Sequence, residues 1–118
     1  MDRAALLVNV DLSRETDVQR AVMRVYQAFG CEVRRFNEGR RTRISEGWPD
    51  LMVFCPQKGL HWAHEVKVPG GLQSSEQTVM EMLARRSGLE YVLGGIHEAQ
   101  EQLRKVGLIA DALHESFR

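Results

Sequence analysis

The 118-residue sequence predicts a mixed α/β domain with a single central sheet flanked by helices. Three observations carry that reading. An apolar stripe at helical spacing opens the chain, two short apolar stretches with different patterns follow in its middle, and a capped helical segment then leads to a further short apolar run.

The first element is a helix over residues 14–29. Ser13 is a candidate N-cap, Val18, Ala21, Val22, Val25 and Phe29 recur on one face, and Gly30 supplies a stop. Residues 31–36 form a short strand candidate, and residues 37–49 are polar, Arg-rich and Gly-containing, the composition of a loop. Residues 51–55 are apolar at every position, as in a central strand buried on both faces. Turn residues 56–59 lead into 61–68, where alternation puts Trp62, His64, Val66 and Val68 on one face and His61, Ala63, Glu65 and Lys67 on the other. Pro69, Gly70 and Gly71 end this strand. Ser74 to Gln77 is a Ser-x-x-Gln capping box that opens a helix with Val79, Met80, Leu83 and Ala84 inward, closed near Gly88. A fourth strand over 90–93, a helix over 96–105 with Ala99 and Leu103 inward, and a weaker last helix over 107–118 complete the order. The capped helix is long enough to serve as a crossover, which allows the third and fourth strands to be parallel.

Composition narrows the class. With 43% hydrophobic residues and 16 Lys+Arg against 16 Asp+Glu, the chain is neither disordered nor membrane-spanning, since no apolar run approaches roughly 18 residues. One domain over 1–118 is expected, with its core at about 14–105. Zero net charge argues against coating nucleic acid by bulk positive potential. Position matters more than the sum: Arg34, Arg35, Arg40, Arg41 and Arg43 crowd into ten residues with one Glu. Cys31 and Cys55 lie in apolar company with no Cys-x2-Cys pair, which favours buried thiols over a zinc site with His61 and His64. With no secretory signal in view, a reduced, cytoplasmic setting is expected.

The informative residues are acids and a lysine that the pattern turns inward. Glu15 lies on the apolar stripe of the first helix, Asp50 stands just before the apolar strand after Trp48 and Pro49, and Glu65 and Lys67 share one strand face. Each also has a purely structural explanation: a first-turn acid, a turn residue and a solvated ion pair. Together they suggest a hairpin that converges two carboxylates and an ammonium. Two carboxylates and a main-chain carbonyl are hard oxygen ligands suited to Mg²⁺ or Mn²⁺, and a lysine beside them can orient water and offset charge on a phosphoryl oxygen. That chemistry is metal-assisted phosphodiester hydrolysis, with the Arg-rich stretch supplying phosphate contacts.

Gly47, Trp48, Pro49, Asp50, followed by Glu65, Val66, Lys67, resembles the Pro-Asp and Glu-x-Lys signature of the PD-(D/E)XK nuclease superfamily. Glu15 with Gln19, the segment Arg35 to Gly39, and Gly70, Gly71 leading into Ser74, Ser75, Glu76, Gln77 resemble its VRR-NUC branch over about residues 14–105. The resemblance implies an αβββαβ core and divalent-metal-dependent cleavage of DNA. It makes Asp50, Glu65 and the Val66 carbonyl metal ligands, lets Lys67 position the attacking water and has Glu15 bind or orient a metal-linked water. Gln77 then completes the site, although the capping box explains it equally well. Arg34, Arg35, Asn37, Arg40, Arg41 and Arg43 are the DNA-binding candidates. Short stand-alone members, found in phages and bacteria, resemble homodimers that act on branched DNA such as four-way (Holliday) junctions. The apolar residues 4–10 could add a strand to a partner's sheet or cover their own core.

Two alternatives stand beside this reading: a restriction-like endonuclease on duplex DNA, and a non-catalytic DNA-binding module in which the acids are structural. The core acids and the lysine show no departure from the family pattern, so an active enzyme is expected. Acids at the site are themselves negative, so without its metal the protein should bind DNA weakly.

Overall fold

A computed structural model describes residues 14–36 and 46–110 of the chain. Helix α1 (Glu15–Ala28) is followed by strands β1 (Glu32–Arg35), β2 (Leu51–Cys55) and β3 (Leu60–Val66), then by α2 (Ser75–Arg86), β4 (Tyr91–Gly94) and α3 (Ile96–Lys105). The strands lie in sequence order, with β1, β2 and β3 antiparallel and β3 parallel to β4 across the α2 crossover. This is the mixed α/β sheet that the sequence predicts. No helix among the described residues is long and apolar enough to cross a membrane.

One sheet face carries the main core. Val18, Val22, Val25 and Tyr26 of α1 and Ala99 and Leu103 of α3 pack with Val33, Leu51, Val53, Cys55, Trp62, Val66 and Val92. On the other face Ala84 of α2 meets Ala63 and Tyr91, with Met52 and Leu89 at the margin. Cover there is incomplete: α2 touches the sheet chiefly at β4, and Phe54 of β2 stays 40% exposed. The expectation that β2 is buried on both faces is therefore corrected. Leu51, Val53 and Cys55 face the core, and Phe54 stacks on His61 outside it. Both cysteines are buried free thiols, and burial raises the Cys31 thiol to about 11.

The predicted inward side of α2 also needs correction. Val79 and Leu83 are 65% and 58% exposed, whereas Gln77, Met80, Glu81 and Ala84 form the covered stripe. The helix turns these polar side chains inward because Gln77 and Glu81 bond to Lys67 and Gln73. The N-cap of α1 is Arg14, without a side-chain cap bond, and Glu15 and Asp17 place negative charge in the first turn. Ser13 and the apolar residues 4–10 lie outside the described residues.

The expected last helix does not start at residue 107. Gly107, at φ +83°, ends α3: its N–H bonds to the Arg104 carbonyl and the Leu108 N–H to the Leu103 carbonyl, a Schellman motif. A side chain is disfavoured in that left-handed conformation, so glycine there is a stop signal. Leu108 and Ile109 then pack back on the core, and residues 111–118 lie outside the described residues. The same bond pattern closes α1 at Gly30 and α2 at Gly88.

His64 links three elements. Its Nδ1 lies 2.6 Å from the Tyr26 hydroxyl and its Nε2 3.0 Å from the Gly94 carbonyl. A carbonyl only accepts, so Nε2 carries the proton and Nδ1 accepts from Tyr26. Burial holds the imidazole neutral and lowers its pKa to about 4. The unfolded chain, with His near 6.5, binds more protons between these values, so stability present at neutral pH is lost as pH falls. Urea denaturation should show a loss of about 2 kcal/mol on going from about pH 7.5 to pH 5, and His64→Gln should flatten that dependence.

Candidate active site

The β2–β3 ladder pairs Leu51 with His64, and continuing that register one step brings Asp50 opposite Glu65 at one end of the sheet. Asp50 lies just outside the strand, and its Oδ2 accepts the Val66 N–H at 2.7 Å. The turn before it is held closely. Gly47, at φ +84°, lies against the first turn of α2, and a Cβ there would approach the Glu76 carbonyl oxygen to 2.6 Å. Pro49 is buried. Asp50 thus reaches β3 from a clamped segment, as the rigid Trp48–Pro49 step implies.

Glu65 is fully buried. Its Oε1 accepts the Tyr91 hydroxyl at 2.6 Å and the Gln73 amide at 3.4 Å, while Lys67 Nζ stands 3.8 Å from Oε2. Burial, then the bond to Glu65 and its charge, push the Tyr91 phenol above its usual range, so it stays a protonated donor. Glu81 and Asp50 add to that shift, which places both acids within electrostatic reach of the same hydroxyl. Oε2 of Glu65 is buried without a hydrogen-bond partner among the described residues. A carboxyl oxygen in that position is costly unless a cation, a proton or water satisfies it.

Lys67 is largely enclosed, its side chain 14% exposed, and its Nζ donates to Gln77 Oε1 at 2.9 Å. The same oxygen accepts the Ser74 N–H at 2.9 Å, and Ser74 Oγ accepts the Gln77 N–H at 3.2 Å. Gln77 therefore caps α2 and holds the lysine at once. A recess of about 810 Å³ adjoins Lys67, walled by Val18, Val68, Leu72, Leu93 and Ile96, with Gln73 and Glu98 among its polar groups.

The structure thus brings Asp50, Glu65, Val66, Lys67 and Gln77 together. Glu15 is not among these contacts: it is exposed in the first turn of α1, one turn before Val18. The apolar stripe to which spacing assigns it begins only at Val18. Arg34 and Arg35 lie exposed on the edge strand β1, where Arg34 pairs with Glu32 and Arg35 Nε approaches Met23 Sδ at 3.4 Å. Asn37, Arg40, Arg41 and Arg43 lie outside the described residues. Sequence reasoning missed Tyr91 and Gln73. Alternation in the fourth strand separates Tyr91 from Val92, but only the parallel register of Ala63 with Tyr91 shows which of them meets Glu65.

Among the described residues no three His, Cys, Asp or Glu side chains form a ready-made metal cage. Asp50 and Glu65 offer carboxyl oxygens at this end of the sheet, the kind of donor that a hard divalent cation takes. The unpartnered Oε2 is the observation that favours the fit.

No family model and no curated protein matches the chain. A solved structure described as "VRR_NUC domain" is similar to it with a TM-score of 0.61 and 26% sequence identity, over 76% of this chain and 94% of that one. The likeness spans nearly the whole of that neighbour and supports a VRR-NUC domain for this chain.

Proposed function

We propose that the chain is a Mg²⁺- or Mn²⁺-dependent DNA endonuclease that hydrolyses phosphodiester bonds, with branched DNA such as four-way junctions as its substrate. The observation that carries this reading is the fully buried Glu65, with one oxygen unpartnered, beside Lys67 and joined to Asp50 through the Val66 N–H. The printed name of the similar structure, a VRR_NUC domain, agrees with nuclease chemistry.

Asp50, Glu65 and the Val66 carbonyl would hold the divalent ion, which supplies charge neutralisation at the scissile phosphate. Lys67 orients the attacking water and offsets charge developing on a phosphoryl oxygen. Gln77 fixes the ammonium for that task, and Tyr91 fixes the Glu65 carboxyl. Glu15 enters as a solvent-facing acid near the wall that Val18 shares with Lys67. Arg34 and Arg35 with Asn37, Arg40, Arg41 and Arg43 supply phosphate contacts. A homodimer completes the proposal, with Val79, Met82 and Leu83, all exposed on α2, as the apolar surface that a second copy covers.

Labelled four-way junction, flap and duplex DNA test the reading directly. Cleavage should require Mg²⁺ or Mn²⁺ and fall at least roughly 100-fold in Asp50→Asn and Lys67→Ala. Undiminished cutting by either variant, or cutting without metal, would sink the assigned site. Discrete bands from linear plasmid would favour the restriction-like alternative, and salt-sensitive binding without cutting the non-catalytic one.

Ser74→Ala and Gln77→Ala separate the two jobs of Gln77. Each should cost about 1 kcal/mol in denaturant unfolding, but only Gln77→Ala should also lower cleavage, by about tenfold. Equal activity in the two variants would leave Gln77 a helix cap alone. Light scattering should show a dimer that Leu83→Glu converts to monomer, and a monomeric wild-type chain would refute that surface.

A further inference from the structure

Two aromatic side chains beside Asp50 are not used by the core. Phe36 follows β1 and donates its main-chain N–H to the Asp50 carbonyl at 3.1 Å, and Trp48 precedes Asp50 by two residues. Their rings meet edge to face, centroids 5.4 Å apart and planes at 74°, and both remain in water, at 36% and 41% exposure. The other tryptophan, Trp62, is fully buried.

Trp48 does not sit on a loose tip. Gly47 is pressed against the Glu76 carbonyl, Pro49 is buried, and Asp50 is bonded to Val66, so the residues on both sides of Trp48 are anchored. Burying a ring of this size stabilises a fold by roughly 2 to 3 kcal/mol, yet the chain forgoes much of that here. A pre-set, exposed aromatic surface next to a phosphodiester site suits a nucleobase. Bases inside a duplex already have both faces stacked on neighbours. A base at a flap or an interrupted branch point has a face to offer.

We propose that Trp48, braced by Phe36, stacks an unpaired or unstacked nucleobase of the DNA strand next to the cut phosphate, so that the domain selects DNA with interrupted stacking over continuous duplex. The position relative to the cut rests on the nuclease reading above; the stacking itself does not.

Tryptophan fluorescence reads this without turnover. The intact protein, with Ca²⁺ replacing Mg²⁺ to hold back cleavage, is titrated with oligo-dT, a flap and a blunt duplex. Oligo-dT and the flap should quench emission, the duplex should not, and W48F should keep only the unquenched signal of Trp62. W48L should weaken flap binding roughly tenfold and leave duplex binding unchanged, with W48F restoring most of the loss. Equal quenching by blunt duplex, absence of quenching with every DNA, or a W48L loss that is the same for flap and duplex would overturn the proposal. Flap-selective quenching in a protein that shows no metal-dependent cleavage would keep the stacking and remove the nuclease reading; metal-dependent cleavage without selective quenching would do the reverse.

Discussion

Glu65 sits near the end of a central strand with no access to water, and much of the second face of the molecule is arranged around that carboxyl. Burying an acid without partners costs several kcal/mol, so donors and a cation have to be held at the right place beside it. Tyr91 comes from the parallel neighbour strand, Lys67 from just past the end of the same strand, and Gln73 from the loop that leads into α2. Each is held in turn: Lys67 by Gln77, Gln77 by the Ser74 cap, and Gln73 by Glu81. The rotation of α2 follows from this chain of bonds. With Gln77 and Glu81 turned inward, Val79 and Leu83 are left outside.

The apolar face and the acidic site meet at one carbonyl. The oxygen of Gly94 accepts both the His64 ring N–H and the Lys67 main-chain N–H, and His64 is in turn bonded to Tyr26 of α1. Helix α1, the end of β3 and the end of β4 are therefore coupled by buried polar bonds as well as by packing. Buried networks of this kind are stabilising only when every member is satisfied, which makes the Tyr26–His64–Gly94 set intolerant of substitution. The backbone that carries Lys67 is thereby fixed before its side chain is considered.

Electrostatics at the site are local. The chain is neutral as a whole, but Asp50 and Glu65 share one end of the sheet, near the edge strand that carries exposed Arg34 and Arg35. A phosphate approaching two acids needs positive charge between them and itself, and Lys67 alone supplies one unit. This is the physical reason that a divalent ion belongs in the proposed function, and it reconciles a neutral protein with a polyanionic substrate.

The order of elements, the alternation along β3 and the capping box of α2 were legible in the sequence, because a residue's period along its own element needs no knowledge of a neighbour. So was the inward placement of Glu65 and Lys67 on the face opposite Trp62, and with it the suspicion of a site with Asp50. Tertiary structure alone decided which partners those residues meet. Tyr91 reaches Glu65 through a parallel register set by long-range pairing, Gln77 reaches Lys67 because polar satisfaction outweighed the burial of Val79 and Leu83, and Phe54 is exposed because α2 does not extend over β2. Glu15, placed inward by spacing, stays outside because the helix meets the sheet only from Val18 onward. Periodicity names the residues that share a face; which face meets which, and at what rotation, is a property of the assembled chain.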